Sequence, residues 1–363
     1  MGRFYGRGQC PERRCLPLSE WPQADQRLWK DSLIRGDLLD DGGIRAKYRA
    51  ISNRKTERGY GRFLTSLQRQ GSLHECAPAD RITPPAVVAY VNGMRELENS
   101  SNTVLNRLQE LHDAAKVMDP CRDWSWIRRI ASQVRAKARP ARNKAAKIVS
   151  SMDLLDLGFA LMKRAASEPT LRLAALMFRD GLLIALIALR PLRRKNLASM
   201  TLGQHLAKRG GTWWLSFAGD EMKNHDPLEV PWPDELSTQL ETWLSKWRPV
   251  LCQRRGRWAK TIGGALWVSA HGSPLTQDGL YGRFVIHTKE AFGHTMNPHL
   301  ARDIAATTLA DVDPEHVRVA APLLGHRNFA TTERYYLHGQ RLRATRRWQQ
   351  TLLHLRRRRR RKP

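Results

Sequence analysis

Two residues in the stretch NPHLARD, His299 and Arg302, could bind one anion together. On a helix, residues three positions apart lie on the same face, so both side chains can reach a single small group. The guanidinium fork of an arginine donates two parallel hydrogen bonds to the oxygens of a phosphate. A second arginine, Arg193 in PLRRKNL, would neutralise the negative charge that grows as phosphorus is attacked. These residue types predict phosphoryl transfer.

The stretch LLGHRNFATTERYY adds a hydrogen-bond donor and a nucleophile. His326 can donate to the same phosphate, and Tyr335 follows nine residues later at a predicted helix start. A tyrosine that attacks a DNA phosphate forms a covalent phosphotyrosine, which divides one difficult transfer into two reversible steps. Tyr336 is an alternative nucleophile that points about 100° away on a helix, and the spacing from His326 favours Tyr335. Taken singly, each of these residues also fits a surface or packing role.

With Lys223 in a predicted hairpin turn, these motifs follow the order and spacing of the tyrosine recombinase family, the phage integrase type. The chain resembles this family over roughly residues 80–340. The resemblance implies a site-specific recombinase that joins Tyr335 to a DNA 3′-phosphate and releases a 5′-hydroxyl. It implies that Lys223 is the general acid for the departing oxygen, and that His299 assists proton removal from Tyr335.

One position departs from the family pattern, which has an acidic residue three positions after the first arginine. This chain has Asn196 there. The choice of Arg193 over Arg190 and Arg194 rests on aligning NLASM with the family's apolar pattern. Two other functions stay open: a type IB topoisomerase-like enzyme that nicks and reseals one duplex, and a DNA-binding architectural protein that is catalytically inactive.

The charge of the chain favours a polyanionic partner. Its 363 residues include 62 Lys and Arg against 34 Asp and Glu, which gives a formal net charge of +28. Only the seven cations of residues 356–362 form a run, so the excess is spread through segments that read as folded, and double-stranded DNA fits this distribution. The longest apolar run, Leu182 to Leu189, is far below the roughly 20 residues that span a bilayer. No membrane contact and a cytoplasmic location are expected.

The sequence predicts neither a metal nor another cofactor. The irregular spacing of the five cysteines fits reduced thiols, and no phosphate-cradling glycine loop follows a strand. The cationic residues supply the charge stabilisation that a metal ion supplies in other enzymes. By the resemblance, the protein acts as a homo-oligomer, a tetramer on two DNA sites, with accessory DNA-bending or directionality proteins as further candidate partners.

The elements that must position these residues are mainly helices. Thr83, followed by two prolines, predicts a helix start, and the apolar spacing in SSNTVLNRLQELHDAAKVM predicts a helix with one buried stripe. The segment LRLAALMFRDGLLIALIAL predicts a central helix that Pro191 ends. The segment from about Trp213 to Trp232 predicts a β-hairpin with Lys223 in its turn.

Four regions are predicted along the chain. Residues 1–77 are an N-terminal extension of unassigned role, residues 78–147 a helical, SAM-like core-binding domain with a basic linker, residues 148–345 an α-rich catalytic domain with a small antiparallel sheet, and residues 346–363 a basic tail. The resemblance implies that the two helical domains form a clamp around DNA. The apolar residues of the last helix pack either within the chain or on a neighbouring protomer.

Overall fold

The computed structural model describes residues 15–37, 40–74, 76–138, 149–253 and 263–312. The chain divides into two compact units, Met1–Asn143 and Lys144–Pro363. The prediction of a mainly α fold with a small antiparallel sheet is confirmed. His326, Tyr335, the C-terminal tail and most of the predicted basic linker lie outside the described residues.

A series of helices makes up the described part of the N-terminal unit. They are α1 (Gln23–Asp31), α2 (Ala50–Arg69), α3 (Pro84–Glu96), α4 (Ser101–Met118) and α5 (Ser125–Ala136). Helix α3 begins as predicted, because the Thr83 side chain accepts a hydrogen bond from the Ala86 N–H. The predicted apolar stripe of α4 is buried from Val104 to Met118. The local sequence patterns therefore define these two helices well.

One apolar core joins the first described residues to the later helices. Trp21, Trp29 and Tyr60, which all precede residue 77, pack in the same cluster as Leu108 and Leu111 of α4. Burial of large aromatic side chains contributes about 1.5–3 kcal/mol each. The early segment is thus part of the folded N-terminal unit and contributes some of its largest buried side chains.

A buried ion pair also joins these two parts of the N-terminal unit. Asp25 of α1 accepts hydrogen bonds from the Tyr60 hydroxyl at 2.7 Å and from Arg81 Nη1 at 2.5 Å. Arg81 donates further to the backbone carbonyls of His74 and Cys76. Removing one member of such a pair leaves a buried charge without its partner and costs about 3–5 kcal/mol. The pair fixes α1 to the segment that precedes α3.

The C-terminal unit combines helices with a three-stranded antiparallel sheet. Its described α-helices are α6 (Ser151–Arg164), α7 (Leu171–Leu189), α8 (Arg194–Ala198), α9 (Ser237–Thr242), α10 (Arg248–Cys252), α11 (Gln277–Phe292) and α12 (Leu300–Val312), with a π-helical turn, Trp243–Trp247, between α9 and α10. The strands are β1 (Leu206–Arg209), β2 (Thr212–Phe217) and β3 (Leu228–Pro231), in the order β1-β2-β3.

Helix α7 lies in the core of this unit, as its apolar sequence predicts, and all side chains from Phe178 to Ile187 are buried. It packs on α6 at a pair of glycines. A Cβ on Gly158 would lie 2.7 Å from the Ala185 Cβ, and a Cβ on Gly181 would lie 2.5 Å from the Gly158 carbonyl oxygen. Only glycine permits this approach of the two helices. Neither α7 nor any other described helix has the length and apolarity needed to cross a membrane.

The sheet contains the predicted hairpin and one further strand. Strands β2 and β3 pair with Trp214 opposite Pro231 and Phe217 opposite Leu228, so the turn between them carries Lys223. Strand β1 pairs with the other edge of β2. Its sequence, LAKR, is short and half polar, which gives no clear periodic signal. Strand β1 is therefore not among the predicted elements.

Candidate active site

Arg193 lies in the connection between α7 and α8, immediately before the first residue of α8. The Leu197 N–H donates a 3.0 Å hydrogen bond to the Arg193 carbonyl, and the Leu197 side chain is fully buried. The start of α8 is thereby fixed to the core. The Arg193 side chain is half-buried, and this burial lowers the pKa of its guanidinium.

Arg302 lies in the first turn of α12 and is only 5% exposed. Its neighbours Ala301 and Ile304 pack in the main core of the unit, which fixes this turn. Arg302 Nη1 donates a 2.6 Å hydrogen bond to the carbonyl oxygen of Pro191, two residues before Arg193. The bond holds the first turn of α12 against the connection that carries Arg193.

The positive charge of Arg193 acts on the Arg302 guanidinium. Burial is the main cause that lowers the pKa of Arg302 to about 10, and the positive charge of Arg193 lowers it further, while the Asp303 carboxylate acts in the opposite direction. A bound anion would favour the charged form of both arginines. The pair is therefore suited to hold one phosphate.

Arg190 and Arg194, the sequence alternatives to Arg193, are engaged elsewhere. Arg190 donates to a backbone carbonyl of β3 at 3.5 Å. Arg194 lies 3.7 Å from the carboxylate of Asp278 in α11. Of the three arginines, Arg193 is the one whose charge acts on Arg302. The geometry thus favours Arg193 as the partner of Arg302.

His299 lies one residue before α12, in the turn formed by Asn297 to Leu300. The Asn297 carbonyl and its side-chain oxygen both accept hydrogen bonds from the Leu300 N–H, so the helix begins after His299. The sequence predicts that His299 and Arg302 lie on one helix. They instead share the turn that leads into it, where the Arg302 N–H donates to the His299 carbonyl at 3.2 Å. The His299 side chain is exposed.

Lys223 lies in the turn between β2 and β3, where the sequence predicts it, and its side chain is exposed. The residues before it are anchored to α8. Asn196 Nδ2 donates to the Glu221 carbonyl at 3.5 Å and to the sulfur of Met222 at 3.3 Å. Asn196 occupies the position at which the resemblance implies an acidic residue. In this chain it connects the lysine-bearing turn to the helix that follows Arg193.

Two residues that no sequence motif predicts, His205 and Glu221, also support the turn. Their side chains meet at 2.8 Å although they lie 16 residues apart. The one sequence signal for this contact is the position of Glu221, two residues before Lys223. The structure thus brings Arg193 and Arg302 together and anchors the Lys223 turn to α8.

A second charged cluster in the same unit surrounds a buried carboxylate. Asp180 of α7 accepts hydrogen bonds from Arg179 Nε at 2.9 Å and Arg283 Nε at 2.6 Å, and lies 2.9 Å from His287 Nε2. Burial alone would raise the pKa of Asp180, but these partners lower it to about 2. Arg179 also donates to the Val268 carbonyl at 2.7 Å. The cluster joins α7 to α11.

The N-terminal unit carries its own cationic surface, which we call the α2–α4 groove. The cations that line it around the buried Glu110 carboxylate are Arg54, Lys55, Arg58, Arg62 and Arg107. Arg107 Nη1 lies 2.5 Å from Glu110, and Arg62 Nη1 lies 3.7 Å from it. Burial and then the charge of Arg107 lower the pKa of Arg62. Five cations thus surround one carboxylate.

Within the described ranges, no three histidine, cysteine or carboxylate side chains are arranged to hold a metal ion. The cysteines described there, Cys15, Cys76, Cys121 and Cys252, are free thiols.

The α-rich C-terminal unit presents one arginine after its central helix and another from the first turn of a later helix. Its residues 160–342 match the model of the phage integrase family, and the chain belongs to that family.

Two curated relatives match part of the chain. It is 32% identical over 116 residues to "Tyrosine recombinase XerC" from Bifidobacterium longum (strain DJO10A), which covers 31% of this chain and 32% of that protein. It is 28% identical over 107 residues to "Tyrosine recombinase XerD" from Staphylococcus haemolyticus (strain JCSC1435), which covers 29% and 34%. These matches span about a third of each relative.

Among solved structures, the chain is similar to the XerH site-specific recombinase bound to palindromic difH substrate. That comparison has 15% identity and a TM-score of 0.45, and it covers 93% of this chain and 100% of the other. The chain is also similar to XerA recombinase, with 16% identity, a TM-score of 0.38 and coverage of 84% and 94%.

Proposed function

We propose that this protein is a site-specific DNA recombinase that cleaves and rejoins DNA through a covalent 3′-phosphotyrosyl intermediate, with Tyr335 as the nucleophile. Its membership of the phage integrase family supports the class of reaction. The observation that carries the proposal is the hydrogen bond from Arg302 to the Pro191 carbonyl, which holds Arg302 beside Arg193. Two close guanidinium groups can share one phosphate.

In this proposal, Arg193 and Arg302 donate hydrogen bonds to the non-bridging oxygens of the scissile phosphate, and His326 donates a further one. Because the fold fixes both arginines before DNA binds, they stabilise the growing negative charge without reorganisation. Loss of one such donor typically costs about 10²–10³ in rate. The guanidinium groups thus take the place of a metal ion, and the phosphotyrosine conserves the energy of the phosphodiester bond without ATP.

The proton transfers complete the proposed chemistry. The phenolic oxygen of Tyr335 forms a bond to phosphorus as the P–O5′ bond breaks, and His299 assists loss of the phenolic proton. The Lys223 ammonium donates a proton to the departing O5′ and becomes a neutral amine. In the second step, a 5′-hydroxyl from the same strand or a partner strand attacks the phosphotyrosine and releases Tyr335.

The proposed partner is double-stranded DNA, bound by a tetramer at two sites. The net charge of +28 and the five cations of the α2–α4 groove support contacts to the phosphate backbone. Such contacts orient a protein on DNA, while base contacts select the sequence. DNA affinity should accordingly fall steeply as the salt concentration rises.

A covalent trap tests the proposed chemistry. The full-length protein first selects duplexes from a randomised pool, and the selected sequence is then nicked so that the 5′-hydroxyl fragment diffuses away after cleavage. We expect a protein–DNA adduct on a denaturing gel in the presence of EDTA. Tyr335→Phe should form none, and Tyr336→Phe should form it normally. Loss in Tyr336→Phe alone would assign the nucleophile to Tyr336, and binding without any adduct would indicate an inactive DNA-binding protein.

A plasmid assay separates a recombinase from a type IB topoisomerase-like enzyme. A recombinase should produce exchanged products only from a plasmid that carries two selected sites. A topoisomerase-like enzyme should relax a supercoiled plasmid that carries one site or none. Relaxation without exchanged products would therefore contradict the recombinase proposal but would still support the covalent mechanism.

A further inference from the structure

Glu221 connects the end of β2 to the turn that carries Lys223. Its Oε1 lies 2.8 Å from His205 Nε2, and its Oε2 accepts a hydrogen bond from the Ala218 N–H at 3.0 Å. His205 lies just before β1 and is only 4% exposed. One carboxylate thus joins three points of the chain: the start of β1, the end of β2 and the turn itself.

The neighbours of His205 determine where its ring carries a proton. Nδ1 accepts a 3.1 Å hydrogen bond from the Thr201 backbone N–H and lies 2.7 Å from the Thr201 hydroxyl. Because a backbone N–H can only donate, Nδ1 carries no proton, and the neutral ring has its single proton on Nε2. That proton points to Glu221, and the hydrogen bond with His205 is the main cause that lowers the Glu221 pKa. Thr201, His205 and Glu221 form a directed series of hydrogen bonds.

Asn196 holds the same turn from α8. It donates to the Glu221 carbonyl and to the Met222 sulfur, and the Met222 side chain is buried in the core. The two residues before Lys223 are therefore fixed by contacts to separate elements, while the Lys223 side chain is exposed. Asn196 lies three residues after Arg193. Its contacts therefore hold the backbone next to Lys223 in a fixed position relative to Arg193, which we propose binds phosphate.

We propose that Glu221 and His205 are positioning residues for Lys223. The two residues hold the backbone of the turn in place, so that the ammonium group of Lys223 reaches the departing O5′. This inference rests on the proposed function, because it concerns one proton transfer of that reaction. As the P–O5′ bond breaks, its electron pair goes to O5′, which takes a proton from Lys223, and the lysine becomes a neutral amine. Glu221 and His205 exchange no proton in this step.

A purely structural role is the competing explanation, and the contacts of Glu221 argue against it. Its side chain is 27% exposed, so it adds little to the apolar core. Its hydrogen bonds lead to the lysine-bearing turn, and the strands are already paired through their backbones. A shift of about 1 Å in a group that takes part in the chemistry can cost up to about 10² in rate. The contacts of Glu221 prevent such a shift.

The experiment varies the leaving group of the DNA. A duplex with sulfur in place of the bridging O5′ releases a thiolate, and because a thiol has a pKa of only about 8.5, this group leaves without a general acid. For Glu221→Gln, we expect the single-turnover cleavage rate of ordinary DNA to fall about 10- to 100-fold. We expect its DNA affinity and its rate on the sulfur-substituted duplex to match those of the native protein. His205→Gln should show the same pattern, and Lys223→Ala the most pronounced one.

Glu229→Gln is the matched control, because Glu229 is a carboxylate of the same hairpin whose partner is Arg209 across the sheet. It should cleave both duplexes at native rates. Equal losses on both duplexes in Glu221→Gln, or no loss on either, would overturn the positioning role. Failure of the native protein to cleave either duplex would instead contradict the proposed function.

Discussion

Arg179 and Arg302 are both almost fully buried in the C-terminal unit, but their surroundings differ. Arg179 lies against Asp180, whose pKa falls to about 2 because its partners favour the carboxylate. Arg302 lies beside Arg193, and burial and that neighbouring charge lower its own pKa to about 10. The pKa of Asp180 and the pKa of Arg302 are thus both lowered. For Asp180, an acid, the lower pKa means that the charged form is stabilised, and for Arg302, a base, it means that the charged form is destabilised.

The cluster around Asp180 stabilises the fold, whereas Arg302 and Arg193 are the residues that we propose to bind a ligand. Around Asp180, the charges are satisfied within the protein and join α7 to α11. At Arg302, burial and the neighbouring Arg193 lower the pKa to about 10, so the positive charge is disfavoured. A bound phosphate would favour that charge. In the proposed function, DNA supplies this phosphate.

The largest expected effect concerns the cluster that holds the fold. Asp180→Ala should lower the free energy of unfolding by about 3–5 kcal/mol, because Arg179 and His287 lose their shared carboxylate. Urea unfolding followed by circular dichroism measures this loss. Asp278→Ala is the control, since Asp278 is an exposed aspartate of α11, and it should unfold like the native protein. Similar small losses in both variants would contradict a structural role for Asp180.

Arg302→Gln should show the opposite combination of effects. We expect the rate of adduct formation to fall by about 10²–10³. The free energy of unfolding should stay the same or rise, because a disfavoured buried charge is removed while the amide can still donate a hydrogen bond. The covalent trap and urea unfolding measure the two quantities. Arg194→Gln, which removes an arginine engaged with Asp278, should keep the native adduct rate. An Arg302→Gln variant that is less stable than the native protein but keeps the native adduct rate would show that Arg302 stabilises the fold and does not take part in cleavage.

The pH dependence of stability sharpens the comparison further. Because the pKa of Asp180 is lowered to about 2, its stabilisation is present above the pKa of an unfolded aspartate, about 3.9, and is lost as the pH falls. The facing arginines, Arg179 and Arg283, stay charged in this range. We expect this group to account for a loss of about 2 kcal/mol between about pH 5 and pH 2. Urea midpoints of Asp180→Asn over the same pH range should lack that part of the decrease.

The smallest expected effect concerns the α2–α4 groove, where a carboxylate partly offsets the cations. Glu110→Gln should strengthen DNA binding by about 1 kcal/mol, roughly fivefold, and should steepen the salt dependence by about one ion. Fluorescence anisotropy at about 50 and 200 mM salt measures both quantities. Glu96→Gln removes the same charge from an exposed position in α3 and serves as the control. Equal gains in both variants would show that net charge, and not the groove, sets the affinity.

Local patterns in the sequence predict the helices that carry the fold. The apolar spacing of α4 and the composition of α7 lead to helices whose stripe and core are buried as expected. Strand β1 is missed because four residues give no period. The role of the earliest described segment is missed for another reason. Asp25 and Arg81 are 56 residues apart, and no local pattern announces such a pair.

In the candidate site, too, local motifs are predictable from the sequence and long-range contacts are not. The motifs PLRRKNL and HLARD point to Arg193 and Arg302, which the structure brings together. The sequence does not reveal that a backbone carbonyl, that of Pro191, receives Arg302, because any residue type could supply it. It also does not reveal the contact of His205 with Glu221, since the turns around β1 and β2 bring these residues together only in the folded state.

The glycine contact between α6 and α7 has a consequence for the arginines. Helix α7 leads into the connection that carries Arg193. Helix α12 carries Arg302, and its Thr308 hydroxyl oxygen accepts hydrogen bonds from the backbone N–H and the hydroxyl of Ser151 at the start of α6. The positions of both arginines therefore depend on contacts with the same helix, α6. A single methyl group added at Gly158 would push α7 away from α6 and would strain the hydrogen bond that joins Arg302 of α12 to the Pro191 carbonyl. Substitutions at Gly158 would thus change the separation of the two guanidinium groups through helix packing alone, without changing any charge.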